Sequence, residues 1–196
     1  MRVGVIGVQG DVSEHVEAVR AAISKGGFRG EAVAVRRRED LAACDALTIP
    51  GGESTTISKI LVRTGLHGDI VRRAGEGMPI LGTCAGCILL AKEGDAQVRD
   101  TRTRLLGLMD MAVDRNAFGR QRESFEADLA VDGFDRSFHG VFIRAPAITR
   151  TWDDCHVAAK LEDVIVFARQ GHLWAACFHP ELSGDLRIHV AFLSQV

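Results

Sequence analysis

Residues Val3 to Val8 form a short, β-branched apolar run closed by Gln9-Gly10. Such a run reads as a strand buried on both faces of a parallel sheet. The period then changes: Val16, Val19, Ala22 and Ile23 recur at helical spacing between Val12 and Ser24, and Gly26-Gly27 marks the stop. Glu31 to Val35 and Ala46 to Ile49 are the next strands, the latter halted by Pro50-Gly51-Gly52. Helices are expected over Thr55 to Thr64 and Leu66 to Gly75, then a strand at Pro79 to Gly82 and a helix from Ala85 to Lys92. Strands alternating with helices predict an α/β fold: three layers, with a mostly parallel sheet flanked by helices.

The second half changes character. Segments around Met111-Val113, Phe125-Val131, Val141-Ile143, Val157-Leu161, Val164-Arg169 and His172-Phe178 read as shorter strands at close spacing, with a terminal helix over Leu186 to Leu193. This predicts an antiparallel extension of the sheet. No linker, repeat or low-complexity tract divides the chain, so one domain over residues 1–196 is expected.

Composition narrows the function classes. A net charge of -2 favours neither nucleic acid nor an anionic membrane as partner. No apolar run approaches the roughly 18 to 20 residues of a membrane helix. The opening Met1-Arg2-Val3-Gly4 lacks a signal-peptide cleavage pattern, and a cytoplasmic protein is expected. Five cysteines are an odd set for a disulfide framework. Cys84 and Cys87 form a C-x-x-C pair, but no second pair completes four zinc ligands, and no metal or organic cofactor is expected.

Gly82-Thr83-Cys84-Ala85-Gly86 follows a predicted strand and opens a predicted helix, the cysteine form of a nucleophile elbow. Small flanking residues let the backbone turn sharply, and the helix N-terminus favours thiolate over thiol. Two other readings stay open: Cys84 as a small apolar residue at a tight turn, or as the exposed member of a redox pair with Cys87. A cysteine nucleophile needs an oriented imidazole. Of seven histidines, His179 alone ends a strand with a carboxylate two residues on, in Phe178-His179-Pro180-Glu181. In extended backbone, residues i and i+2 project to one side, roughly 6 to 7 Å apart. Glu181 is therefore expected to fix the His179 tautomer. His15, His189 and the remaining histidines are read as surface or core residues. Pro50-Gly51-Gly52-Glu53-Ser54-Thr55 supplies a glycine turn for an oxyanion, with the N–H of Ala85 as second donor and Ser54 or Thr55 as helix cap.

Together these motifs resemble the class I (triad) glutamine amidotransferases. Longer stretches are similar to the glutaminase subunits of pyridoxal 5'-phosphate synthase: Gly7 to His15, Pro50 to Thr56, Gly82 to Gly86, Asp114 to Gln121, Ser124 to Ala127, Phe142 to Pro146 and Phe178 to Leu182. The resemblance spans nearly the whole chain. It implies a catalytic triad of Cys84, His179 and Glu181. It further implies glutamine contacts from Gly51, Gly52, Glu53, Ser54, Arg115, Ile143 and Arg144, with Gly52 and Ala85 at the oxyanion. The implied substrate is L-glutamine. The implied partner is a barrel-shaped synthase subunit that combines the ammonia with a pentose phosphate and a triose phosphate. Cys87 departs from the aliphatic residue commoner in that family. Rival expectations are a glutaminase for another biosynthetic pathway, such as anthranilate or guanylate synthesis, and a non-catalytic regulatory partner.

Overall fold

The computed structural model describes residues 1–115 and 124–196. The first strand, β1 (Arg2–Ile6), is apolar on both faces and pairs in parallel with β2 (Glu31–Val35) and β3 (Ala46–Ile49). β3 continues in parallel to β4 (Ile80–Thr83). Each of these strands leads towards a helix, and βαβ crossovers require the helices to cover the sheet faces. α1 (Val12–Lys25), α2 (Arg38–Ala42), α3 (Ser54–Thr64), α4 (Leu66–Gly75) and α5 (Ala85–Leu90) are those helices. α1 buries His15, Ala18, Val19, Ala22 and Ile23; of the stripe expected from the sequence, Val16 is only half-buried.

Beyond α5 come β5 (Ala91–Gly94), α6 (Ala96–Asp100) and β6 (Met109–Asp114), then β7 (Ser124–Leu129) and β8 (Phe138–Ile143). β9 (Ala147–Thr151), β10 (His156–Leu161), β11 (Val164–Gln170), β12 (Leu173–Ala176) and α7 (Arg187–Leu193) complete the described chain. The main sheet has ten strands in the order β2-β1-β3-β4-β12-β11-β9-β6-β5, with β10 pairing β11 off this path. β12 joins β4 in parallel yet runs antiparallel to β11, so it is the seam between the parallel half and the antiparallel half. β7 and β8 pair separately as a two-stranded antiparallel ribbon. Helices flank the sheet in two groups, α1 against α7 and α3 against α4 and α5.

The mixed α/β class and the antiparallel extension agree with the sequence reading; several boundaries do not. The expected helix Ala85 to Lys92 ends at Leu90, and Ala91 enters an extended strand with φ -64 and ψ 149. Its apolar residues serve both states, since Ala91 pairs with Met109 on β6. The sequence reading has no counterpart for the short elements α2, β5, α6 and β9, in which charged or polar residues interrupt the apolar pattern.

The core is continuous across the seam. Phe178, which follows β12, packs on Phe142 at 5.5 Å, Phe138 at 5.8 Å and Phe167 at 6.1 Å between ring centroids. These contacts anchor the chain immediately before His179. Among the described residues, no helix is long and apolar enough to cross a membrane.

Candidate active site

Cys84 stands between β4 and α5 with φ 48 and ψ -103. A non-glycine residue with positive φ carries backbone strain, and the surroundings hold it there. A Cβ on Gly86 would lie 2.1 Å from the Ile49 carbonyl oxygen, and one on Gly82 would lie 2.6 Å from the Gly86 backbone. Glycine at both positions lets α5 press directly on β3 and β4. The Cys84 amide donates to Ala176 on β12 at 2.8 Å, which pins the turn to the seam strand. Its Sγ rests 4.0 Å from the Ile143 carbonyl oxygen.

His179 follows Phe178 and donates its backbone N–H to Val141 of β8 at 2.8 Å. Its Nδ1 lies 2.6 Å from Glu181 Oε1, whose side chain is fully buried. The expected pairing is present, but the expected extended backbone is not. Pro180–Leu182 forms a 3-10 turn with proline at its start, a place where the missing N–H costs nothing. The tight turn folds Glu181 back under the imidazole. Asp11 Oδ2 also approaches the same Nδ1, at 3.4 Å. Asp11, His179 and Glu181 form a grouping of ligand-type atoms within 4.8 Å of one another. Here His179 and Glu181 are committed to each other.

The electrostatics follow from this packing. Burial pushes the His179 imidazolium down, but Cys84 and Glu181 outweigh it and raise its pKa to about 10. Burial pushes the Glu181 carboxyl up, but the His15 and His179 imidazoles hold it well below the usual carboxylate range. A raised imidazole pKa favours the form that can stand beside a thiolate and later protonate a leaving group.

A cleft of about 400 Å³ opens over Cys84 and His179. Gly52, Glu53, Ser54, Ala85, Arg115, Ile143 and Arg144 all border it. Gly51 does not border it. It lies behind, where a Cβ would meet His179 Cε1 at 2.5 Å, so it makes room for the imidazole. Ile143 and Arg144 arrive at the end of β8, Arg144 with φ 43. Arg115 follows β6 and donates its backbone N–H to Asp95 at 3.0 Å.

Glu53, rather than Ser54 or Thr55, caps α3. Its carboxylate accepts from the amides of Thr55 at 3.0 Å and Thr56 at 2.6 Å. Arg115 Nη2 donates to the same Glu53 Oε1 at 3.0 Å, and Nη1 donates to Thr55 Oγ1 at 3.1 Å. Burial opposes ionisation of Glu53, yet the hydrogen bonds from Thr56 and Thr55 bring its pKa to about 2. The cleft therefore presents a guanidinium already aimed by a fixed carboxylate, a geometry suited to the charged end of an amino acid.

A model of the SNO glutamine amidotransferase family matches residues 5–196. The chain belongs to that family. It is 53% identical to the pyridoxal 5'-phosphate synthase subunit PdxT of Methanocella arvoryzae, over 100% of this chain and 98% of that protein. It is 54% identical to the subunit of the same name from Archaeoglobus fulgidus, over 98% and 97%. A crystal structure of a glutamine amidotransferase superposes with a TM-score of 0.88 at 46% identity, covering 98% of this chain and 97% of that one. A glutamine amidotransferase from Thermotoga maritima shares the fold at 13% identity, with a TM-score of 0.61 over 97% and 89%.

Within this SNO-family chain, the sequence reading passed over Gln9, Gly10, Asp11 and His15. The first three border the cleft, and Gln9 Oε1 accepts from the Glu53 amide at 2.9 Å. His15, read as a surface or core histidine, is fully buried beside Glu181. The signal was available: all four follow the first parallel strand at its carboxyl end, where α/β sheets bind ligands. Cys87 is fully buried, with its Sγ 3.8 Å from that of Cys177. Residues 116–121, part of the stretch that carried the resemblance, lie outside the described residues.

Proposed function

We propose that this chain is the glutaminase subunit of a pyridoxal 5'-phosphate synthase, working in the cytoplasm as one catalytic domain. It hydrolyses L-glutamine to L-glutamate and ammonia, and a barrel-shaped synthase subunit combines the ammonia with a pentose phosphate and a triose phosphate. The observation that carries the chemistry is a strained elbow cysteine in the same cleft as an imidazole whose Nδ1 lies 2.6 Å from a buried carboxylate.

His179 takes the Cys84 proton, and the thiolate attacks the side-chain amide carbon of glutamine. The oxyanion is met by backbone N–H groups at Gly52 and Ala85. His179 then returns the proton to the departing ammonia, leaving a γ-glutamyl thioester on Cys84. Water, deprotonated by His179, cleaves the thioester and restores the thiol. Arg115 pairs with the α-carboxylate of glutamine, with Glu53, Ser54, Ile143 and Arg144 around it. Identity near one half over full length to proteins named for the synthase supports the pathway.

Glutamate release from glutamine, by the chain alone and with the synthase subunit added, tests this reading. The expected result is release that rises with the synthase. Release indifferent to that subunit overturns the pathway, and no release in either case overturns the glutaminase.

A further inference from the structure

One buried side chain ties the two halves of the proposed triad together. His15 sits in the first turns of α1 and is fully buried. Its Nε2 lies 2.9 Å from Thr83 Oγ1 and 3.3 Å from Glu181 Oε1. Thr83 is the last residue of β4 and immediately precedes Cys84. Glu181 Oε1 is the same oxygen that meets His179 Nδ1. The contacts thus run from the residue before the nucleophile, through His15, to the acid that orients the base.

The tautomer follows from elementary bookkeeping of donors. A carboxylate accepts and never donates, so a ring nitrogen beside Glu181 Oε1 must present its hydrogen. The His15 ring therefore carries a proton on Nε2, with Thr83 Oγ1 at hydrogen-bond distance and Glu181 Oε1 in ion-pair contact beside it. Glu181 is desolvated by burial, and His15 offsets that burial together with His179. Without His15, one buried carboxylate oxygen would depend on the catalytic base alone, and the strand end bearing Thr83 would lose its tie to the turn at Pro180–Leu182. The ionisable groups facing His15 are Glu181 from that turn and His189 from α7, whose ring centroid is 6.4 Å away. Burial and His15 lower the His189 pKa to about 4, so His189 stands by as a neutral wall.

We propose that His15 is a positioning residue for the glutaminase reaction: its Nε2–H locks the Glu181 carboxylate to the strand end that carries Cys84, keeping His179 aimed at the thiol. This rests on the glutaminase reading. A histidine that merely fills the core would change stability without changing how fast Cys84 reacts.

The test compares His15→Leu and His15→Gln in the full chain, assayed with the synthase subunit. Gln places an amide N–H near the position of Nε2; Leu does not. Loss of a hydrogen bond to a charged group corresponds to roughly 10- to 100-fold. His15→Leu is expected to lower kcat by that factor with KM for glutamine nearly unchanged, and His15→Gln to regain most of it. Alkylation of Cys84 by iodoacetamide, which needs neither glutamine nor partner, is expected to slow in the same order. A folded His15→Leu protein with wild-type kcat and alkylation rate overturns the proposal, as does a Gln variant no better than Leu. Should His15→Leu fail to fold, His15→Asn takes its place: its amide is too short to reach Glu181, and equal rates for Asn and Gln overturn the proposal. A wild-type chain that releases no glutamate would sink the glutaminase reading instead, and alkylation would still decide the role of His15.

Discussion

The carbonyl oxygen of Gly51 occupies the space where a side chain on Gly10 would begin: a Cβ on Gly10 would lie 1.8 Å from it. The two glycines come from different strand ends, β1 and β3, and the Asp11 amide donates to that same oxygen at 3.4 Å. Their contact sets the orientation of the Gly51-Gly52 peptide at the edge of the cleft. Gly10 has φ +103, a conformation that side chains rarely adopt.

Gly10→Ala is therefore expected to displace the Gly51-Gly52 turn. The strain costs roughly 1 to 3 kcal/mol of stability, and glutaminase kcat/KM should fall by more than 10-fold. Gly27→Ala is the control: its φ is +68, but nothing lies within 4 Å of a Cβ there. It should lose stability and keep activity. Thermal melts beside steady-state kinetics separate the two, and equal activity in both variants would refute the contact's role.

Cys84→Ala should abolish glutamate release and the covalent intermediate seen by mass spectrometry after quenching with glutamine, while melting as a cooperative fold. Cys87→Ala should retain activity within a few fold. Cys87 is buried against Cys177, and that neighbour together with burial raises its thiol well above the ordinary range, which disfavours a reactive thiolate. Loss of activity in Cys87→Ala with cycling between reduced and oxidised forms would favour redox chemistry.

The His179–Glu181 pair gives stability a pH dependence of definite sign. The folded-state pKa of His179 is about 10 against an ordinary 6.5, so its contribution is full below pH 6.5 and drains away between 6.5 and 10. Glu181 is shifted the other way, so its contribution is full above about 4.5 and is lost as pH falls below that. The stability gap between wild type and His179→Gln, from urea melts at several pH values, should narrow from pH 6.5 to 10. A gap that widens over that range contradicts the pairing.

Arg115→Lys should raise the glutamine KM by about 10-fold or more, because an ammonium cannot span Glu53 and Thr55 as the fork does. Stability should change little. Glu53→Ala should raise the KM and also lower stability, since it removes the α3 cap, worth about 1 kcal/mol. Kinetics that leave KM unchanged in Arg115→Lys would place glutamine elsewhere.

Much of the site was legible before any coordinates. The elbow glycines, the strand-end His179 with Glu181 two residues on, and the Pro50-Gly51-Gly52 turn each need only local geometry. The same locality explains the errors. Ala91 and Lys92 read as helix because the sequence cannot show that β6 lies alongside to pair with them. Ser54 and Thr55 read as caps because their hydroxyls are the usual cap groups; Glu53 prevails because Arg115, 62 residues away, holds its carboxylate over the helix end. Gly51 reads from the sequence as a substrate contact, and only packing shows that it also makes room for the His179 ring.

The sequence by itself determined the alternation of strands and helices, the sharp turn at Cys84 and the pairing of His179 with Glu181. These depend on periodicity, on φ/ψ limits and on neighbours a few residues apart. Only the tertiary structure decided that β12 is the seam joining both halves of the sheet, that Arg115 is aimed by Glu53, and that His15 lies between Thr83 and Glu181. Those relationships join residues far apart in the chain, and long-range contacts are set by how buried surfaces fit and which buried charges find partners, quantities no local pattern encodes.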